Sequence, residues 1–181
     1  MKLTPQKVLE MYTASGKKHL FITGLRQVGK STLFNKITPL LSVQGGILPG
    51  LTSYMIPQKA VMLKDNLTGR EGAVGIHCPE KATIGRTMIP HSDGFFVVGI
   101  PALKAAMQSD SRWVSVDEIG FLESGEVEFQ QQFFTLLEHK NVIAVIRKTY
   151  KDQVPFIDRL MERQDAFVLN LDNFDKTEYW D

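Results

Sequence analysis

Two short strings hold residue types that can do chemistry together. Gly24-Leu25-Arg26-Gln27-Val28-Gly29-Lys30-Ser31 has the pattern G-x-x-x-x-G-K-[ST], and Asp117-Glu118 closes an apolar run, Trp113-Val114-Ser115-Val116. Glycines at the first string's ends let the backbone curl until successive N–H groups point inward at a phosphate, and the positive end of a following helix adds to the attraction. Lys30 can bridge the β- and γ-phosphates of a triphosphate tail. The Ser31 hydroxyl is an oxygen ligand of the kind Mg²⁺ prefers. Gly24, Leu25, Arg26, Gln27, Val28, Gly29, Lys30, Ser31 and the next residue, Thr32, are therefore the expected nucleotide contacts.

Adjacent carboxylates at the end of an apolar strand are costly unless they are solvated or serve a cation. Neighbours on a strand face opposite ways, so Asp117 is expected to join Ser31 at the metal while Glu118 polarises an attacking water. Hydrolysis also needs positive charge on the transition state. Arg147 follows Val142-Ile143-Ala144-Val145-Ile146, at the carboxyl end of a strand expected beside the loop, which favours it over Arg112 at the start of its own strand. Arg26 is expected to flank the nucleotide, Arg70 and Arg86 to be substrate contacts or surface charges. Asp172 and Asn173 follow the last strand, where a base could be hydrogen-bonded, and Tyr179 or Trp180 could stack on one, although a polar terminus explains them too. His77, Cys78 and His91 lack the spacing of a zinc site.

The elements needed to position these groups are legible. Thr4 and Pro5 open, and Gly16 closes, a helix carrying Val8, Leu9 and Tyr12. Leu20-Phe21-Ile22-Thr23 reads as a buried strand ending at the glycine loop. Leu33, Phe34, Ile37 and Leu41 recur at helical spacing after the loop, and Thr38-Pro39 is expected to end or kink that helix. Between Gly45 and Gly99 glycines punctuate short β-prone pieces at 59–63, 73–78 and 95–98. Ile100, Leu103 and Met107 suggest a helix opened by Pro101. Ser124 is expected to cap a helix with Glu126 and Glu128 in its first turn and Phe129, Phe133, Leu136 and Leu137 on its buried stripe. A strand at 141–146, a helix at 155–163 and a strand at 166–171 complete the pattern.

Strands alternating with helices imply an α/β, three-layer α/β/α fold of the phosphate-loop type, with a mostly parallel sheet and an antiparallel β extension from the glycine-rich middle. Residues 1–181 are expected to form a single domain. Its 181 residues, 43% of them hydrophobic, are enough for a core. Lys plus Arg (21) nearly balances Asp plus Glu (20), so no global field favours nucleic acid or an acidic membrane. Cys78 is the single cysteine, residues 1–5 have no apolar signal core behind them, and the longest apolar stretch, 95–103, is far shorter than the roughly 18 residues of a membrane span. A cytoplasmic monomer, open to a protein partner, is the expectation.

The loop at 24–31, the string Val116-Asp117-Glu118-Ile119-Gly120 with Glu123 shortly after, and the strand at 142–146 resemble the THEP1-type nucleoside-triphosphatases over about residues 18–173. The family usually has Thr at the position of Ser31, a change that keeps the hydroxyl, and a basic residue where this chain has Phe121. The resemblance implies a RecA-like core and hydrolysis of ATP, GTP and other nucleoside triphosphates to diphosphate and phosphate. Two other classes use the same loop: a nucleotide or nucleoside kinase, which transfers to a hydroxyl acceptor, and a nucleotide-gated binding module.

Overall fold

The computed structural model describes residues 3–81 and 87–175. Arg86, Tyr179 and Trp180 lie outside the described residues. Eight strands form one sheet: β1 (His19–Thr23), β2 (Gly50–Ile56), β3 (Ala60–Asp65), β4 (Glu71–His77), β5 (Met88–Pro90), β6 (Trp113–Ile119), β7 (Asn141–Ile146) and β8 (Ala166–Asn170). Their order is β5-β4-β3-β2-β6-β7-β1-β8. From β2 to β8 every pairing is parallel. The pairs β2–β3, β3–β4 and β4–β5 are antiparallel, which makes the glycine-rich middle an extension of the parallel core.

Among the described residues five α-helices accompany the sheet: α1 (Pro5–Ser15), α2 (Lys30–Leu41), α3 (Ile100–Gln108), α4 (Val127–His139) and α5 (Pro155–Met161). Successive strand residues face opposite sides, and the core splits accordingly. Phe21, Val142, Ala144 and Ile146 pack with Phe129, Phe133 and Leu136 of α4, whereas Leu20, Ile22, Ile143 and Val145 pack with Val8 of α1 and Leu33 and Ile37 of α2. Both faces of β1, β6 and β7 are therefore buried almost throughout, as near-continuous apolar strands require. No helix among the described residues is long and apolar enough to cross a membrane.

The first helix forms as its caps dictate. Thr4 Oγ1 accepts the Lys7 N–H (3.1 Å), and Gly16 takes the left-handed conformation at φ 65°. Elsewhere the structure corrects the sequence reading. Helix α2 includes Pro39 and ends two residues later at Leu41, so the proline lies in its last turn rather than at its boundary. The apolar piece 95–98 is not a strand. Phe95–Gly99 is a wide helical turn leading into α3, with Phe95 and Val98 buried and Phe96 and Val97 outward, a helical rather than an alternating split. Ser124 does not cap α4; it lies in the tight turn Phe121–Gly125, and Glu126 holds the cap position. Strand β6 does not stop at the acidic pair but continues to Ile119, which pairs with Ile146. The sequence reading passed over β2, which meets β6 closely enough that a Cβ on Gly50 would run into the Ser115 carbonyl oxygen.

His19 opens β1 fully buried, with Nδ1 accepting the Val142 N–H (3.2 Å) and Nε2 3.4 Å from Asp165 Oδ2. Burial lowers its pKa to about 4, against the pull of Asp165. The unfolded chain therefore takes up a proton on acidification that the folded chain refuses. Stability linked to His19 is present above pH 6.5 and lost as pH falls towards 4. His19→Asn, which keeps an acceptor for Val142, should remove about 3 kcal/mol of that pH dependence. Denaturant midpoints of the two proteins across that interval check this: parallel curves would mean His19 does not titrate with unfolding.

Candidate functional site

The glycine loop leaves the carboxyl end of β1 and enters α2 directly. Gly29 occupies the cap position at φ 101°, where a side chain would be strained, and Gln27 takes φ 60°. The loop and the first turn of α2 border a cleft of about 500 Å³, lined by Gly24, Leu25, Arg26, Gln27, Gly29, Lys30, Ser31 and Thr32. Val28 instead turns inward as part of the core below the loop. Lys30 is buried, and its ammonium donates to the carbonyls of Gly24 (3.0 Å) and Leu25 (2.8 Å), bracing the curl. Burial holds its pKa below the ordinary lysine value, partly offset by the charge of Glu118.

One strand, β7, separates β1 from β6, and this spacing brings the acidic pair to the loop. The Ser31 hydroxyl donates to Asp117 Oδ1 (3.3 Å). Burial raises the Asp117 pKa to about 6, the Ser31 hydrogen bond working against it and the Glu118 charge with it. A hydroxyl and a carboxylate so placed are the oxygen donors a hard divalent cation takes when phosphates and water supply its other ligands. Among the described residues no group of three or more His, Cys, Asp or Glu could hold a metal alone, which includes His77, Cys78 and His91.

Glu118 is fixed from behind: its N–H donates to Ser53 Oγ of β2 (3.0 Å). Arg147 arrives from β7, its N–H donating to the Ile119 carbonyl, its Nε 3.9 Å from Glu118 Oε1 and its guanidinium 5.9 Å from the Phe121 ring centroid. Glu118, Arg147, Lys148, Arg26 and Ser31 line both this cleft and a second one that opens beyond the acidic pair. Arg112 sits at the other end of β6, where its carbonyl accepts the Asn141 N–H. Arg70 lies in the β3–β4 turn and lines neither cleft.

Sequence reasoning missed three partners. Ser53 had no motif to announce it. Glu123, 5% exposed, accepts the Gly120 N–H (2.8 Å), and burial raises its pKa to about 7. Asp172, read from sequence as a possible base contact, is engaged with the loop: Oδ1 accepts the Leu25 N–H (2.8 Å) and Oδ2 pairs with Lys148 Nζ (2.8 Å). Burial pushes its pKa up, but these two donors outweigh that and hold it below the usual carboxylate value. Because Asp172 preorganises the loop entrance, Asp172→Ala should weaken nucleotide binding roughly three- to ten-fold with little change in melting temperature. Calorimetric titration beside a thermal melt checks this, and unchanged affinity would contradict it.

A parallel-stranded α/β core with a phosphate loop after β1 and an acidic strand end two positions along the sheet defines a nucleotide-binding protein of the phosphate-loop class. A family model described as NTPase matches residues 19–180, and the chain belongs to this nucleoside-triphosphatase family. The nucleoside-triphosphatase THEP1 of Thermotoga maritima is 30% identical over 156 residues, covering 84% of this chain and 85% of that protein. The THEP1 of Thermotoga sp. strain RQ2 is 28% identical over 156 residues, with the same coverage. Two solved structures share the fold, each at 22% identity and over 84% of this chain. They are the crystal structure of THEP1 from Aquifex aeolicus (TM-score 0.69, 89% of that chain) and the solution structure of a human cancer-related nucleoside triphosphatase (TM-score 0.63, 88% of that chain).

Proposed function

We propose that the chain hydrolyses ATP, GTP and related nucleoside triphosphates in a Mg²⁺-dependent reaction at this cleft. The observation that carries the reading is the 3.3 Å Ser31–Asp117 contact at the mouth of the loop, beside Glu118 and Arg147. The amides of 24–32 receive the α- and β-phosphates, and Lys30 reaches the β- and γ-phosphates. Ser31 and Asp117 would hold Mg²⁺, which when bound neutralises charge on the phosphate oxygens. Glu118 accepts a proton from the attacking water as its oxygen bonds to the γ-phosphorus and the bond to the β–γ bridging oxygen breaks. Diphosphate and inorganic phosphate result. Arg147 stabilises charge building on the γ-phosphoryl oxygens.

Phosphate release from each triphosphate, followed with Mg²⁺ and again after chelation with EDTA, tests the reading. Release with several nucleotides that stops on chelation and returns with added Mg²⁺ is expected; undiminished release in EDTA would overturn the metal assignment.

A further inference from the structure

Glu123 is a buried carboxyl that the hydrolytic steps above leave unused. It sits in the turn Phe121–Gly125 between β6 and α4, and its Oε2 accepts the Gly120 N–H (2.8 Å). The turn has other bonds to hold its shape. Gln130 Nε2 of α4 donates to the carbonyls of Glu123 (2.7 Å) and Ser124 (3.0 Å), and the Glu126 N–H donates to the Glu123 carbonyl (3.1 Å).

What the Glu123 side chain fixes is the peptide unit that joins Ile119 to Gly120. A peptide unit is planar, so its N–H and its C=O move as one body. Glu123 holds the N–H end. At the other end the Ile119 carbonyl accepts the Arg147 N–H (2.8 Å). The stem of Arg147 also lies against this unit: a Cβ on Gly120 would stand 3.4 Å from Arg147 Cδ and 3.7 Å from its Cβ. Glycine imposes little restraint of its own on such a plane, so the orientation depends on these bonds. Burial raises the Glu123 pKa to about 7, with the Glu118 charge adding to the rise and the Arg147 charge opposing it, so the carboxyl senses both groups of the proposed chemistry.

We propose that Glu123 is a positioning residue for hydrolysis, clamping the Ile119–Gly120 peptide so that Arg147, held at its other end, meets the γ-phosphoryl group in one fixed place. The inference rests on the role given to Arg147 above. Glu123 touches no nucleotide in this arrangement, and loosening its clamp leaves the phosphate amides at 24–32 as they are. Its effect therefore falls on kcat and spares KM. Misplacing a catalytic group by about 1 Å costs up to about 10²-fold in rate.

The test measures phosphate release from MgATP by the full chain and by variants at Glu123 and Arg147. Glu123→Met fills the same space without a strong acceptor, and should lower kcat about ten- to thirty-fold with KM within about three-fold. Glu123→Gln keeps an acceptor oxygen and should bring kcat back to within about three-fold of the parent. In an Arg147→Ala background Glu123→Met should lower kcat by a further two-fold or less, roughly, because the group it positions is gone. Should Glu123→Met not fold, Glu123→Asp takes its place in the same comparisons, since it draws the carboxylate back by one carbon. A fall in kcat of equal size in both backgrounds overturns the proposal, because a role confined to folding gives that result. Parental kcat in Glu123→Met, or a Gln variant as slow as the Met variant, overturns it too. These results leave the hydrolytic reading standing; a parent chain that releases no phosphate overturns that reading and the positioning role with it.

Discussion

Glu118→Gln should leave nucleotide binding within about three-fold of the parent and lower kcat by about 10²–10⁴, the usual contribution of a positioned general base. The carboxamide preserves the shape of the side chain, and the backbone N–H keeps its bond to Ser53 Oγ, so the strand end stays in place. What is lost is the ability to accept a proton. Removing a negative charge beside the phosphates should also favour ground-state binding slightly, so a lower KM with a collapsed kcat is the signature. Calorimetric affinity and steady-state phosphate release on the same preparation separate the two quantities. A variant as active as the parent would remove Glu118 from the chemistry.

Lys30→Ala should act on binding and chemistry together. The ammonium is held at the loop by two carbonyls, where the proposed triphosphate tail would meet it. Charge-assisted hydrogen bonds are each worth about 1.5–3 kcal/mol, which corresponds to a loss of roughly 10- to 100-fold in affinity. Charge on the bridging and γ oxygens rises in the transition state, so kcat should fall by a further factor of about 10² or more. Lys30→Ala also removes the brace across Gly24 and Leu25, and a circular-dichroism melt distinguishes a loosened loop from an unfolded protein. Loss of kcat with unchanged affinity would mean that Lys30 does not touch the phosphates before reaction.

The two chemical strings were legible because they are local. A glycine loop between an apolar strand and an amphipathic helix is specified within about twenty residues, and α1 is set by Thr4, Pro5 and Gly16 over a similar length. The strand character of Trp113–Ile119 and Asn141–Ile146 follows from burial on both faces, which leaves near-continuous apolar runs. Where tertiary pairing decides, local reading failed. The 95–98 run is too short to separate strand from helix by period, and its packing against the extension settles it as a turn of helix. Strand β2 is half exposed and carries Thr52, Ser53 and Tyr54, so no apolar run marks it; its pairing with β6 is what orders it.

The candidate site divides along the same line. Ser31, Asp117, Glu118 and Arg147 could be named because each falls at a strand end or helix start, and the sheet order β6-β7-β1 then brings them together. Asp172 reaches Leu25 across 147 positions of sequence, and Ser53 reaches Glu118 across 65. Such contacts have no local signal. Glu123 stood in the string Val116-Asp117-Glu118-Ile119-Gly120 and its neighbours, yet its burial against the Gly120 N–H depends on the turn Phe121–Gly125 that folds it back.

The most direct test of the account is a crystal structure with a non-hydrolysable ATP analogue and Mg²⁺. The account predicts the β-phosphate within hydrogen-bond distance of the amides of Gly29 and Lys30, the metal in the shell of Ser31 Oγ and Asp117, and the γ-phosphate facing Glu118 and Arg147. A triphosphate bound away from residues 24–32, or a metal that approaches neither Ser31 nor Asp117, would contradict it.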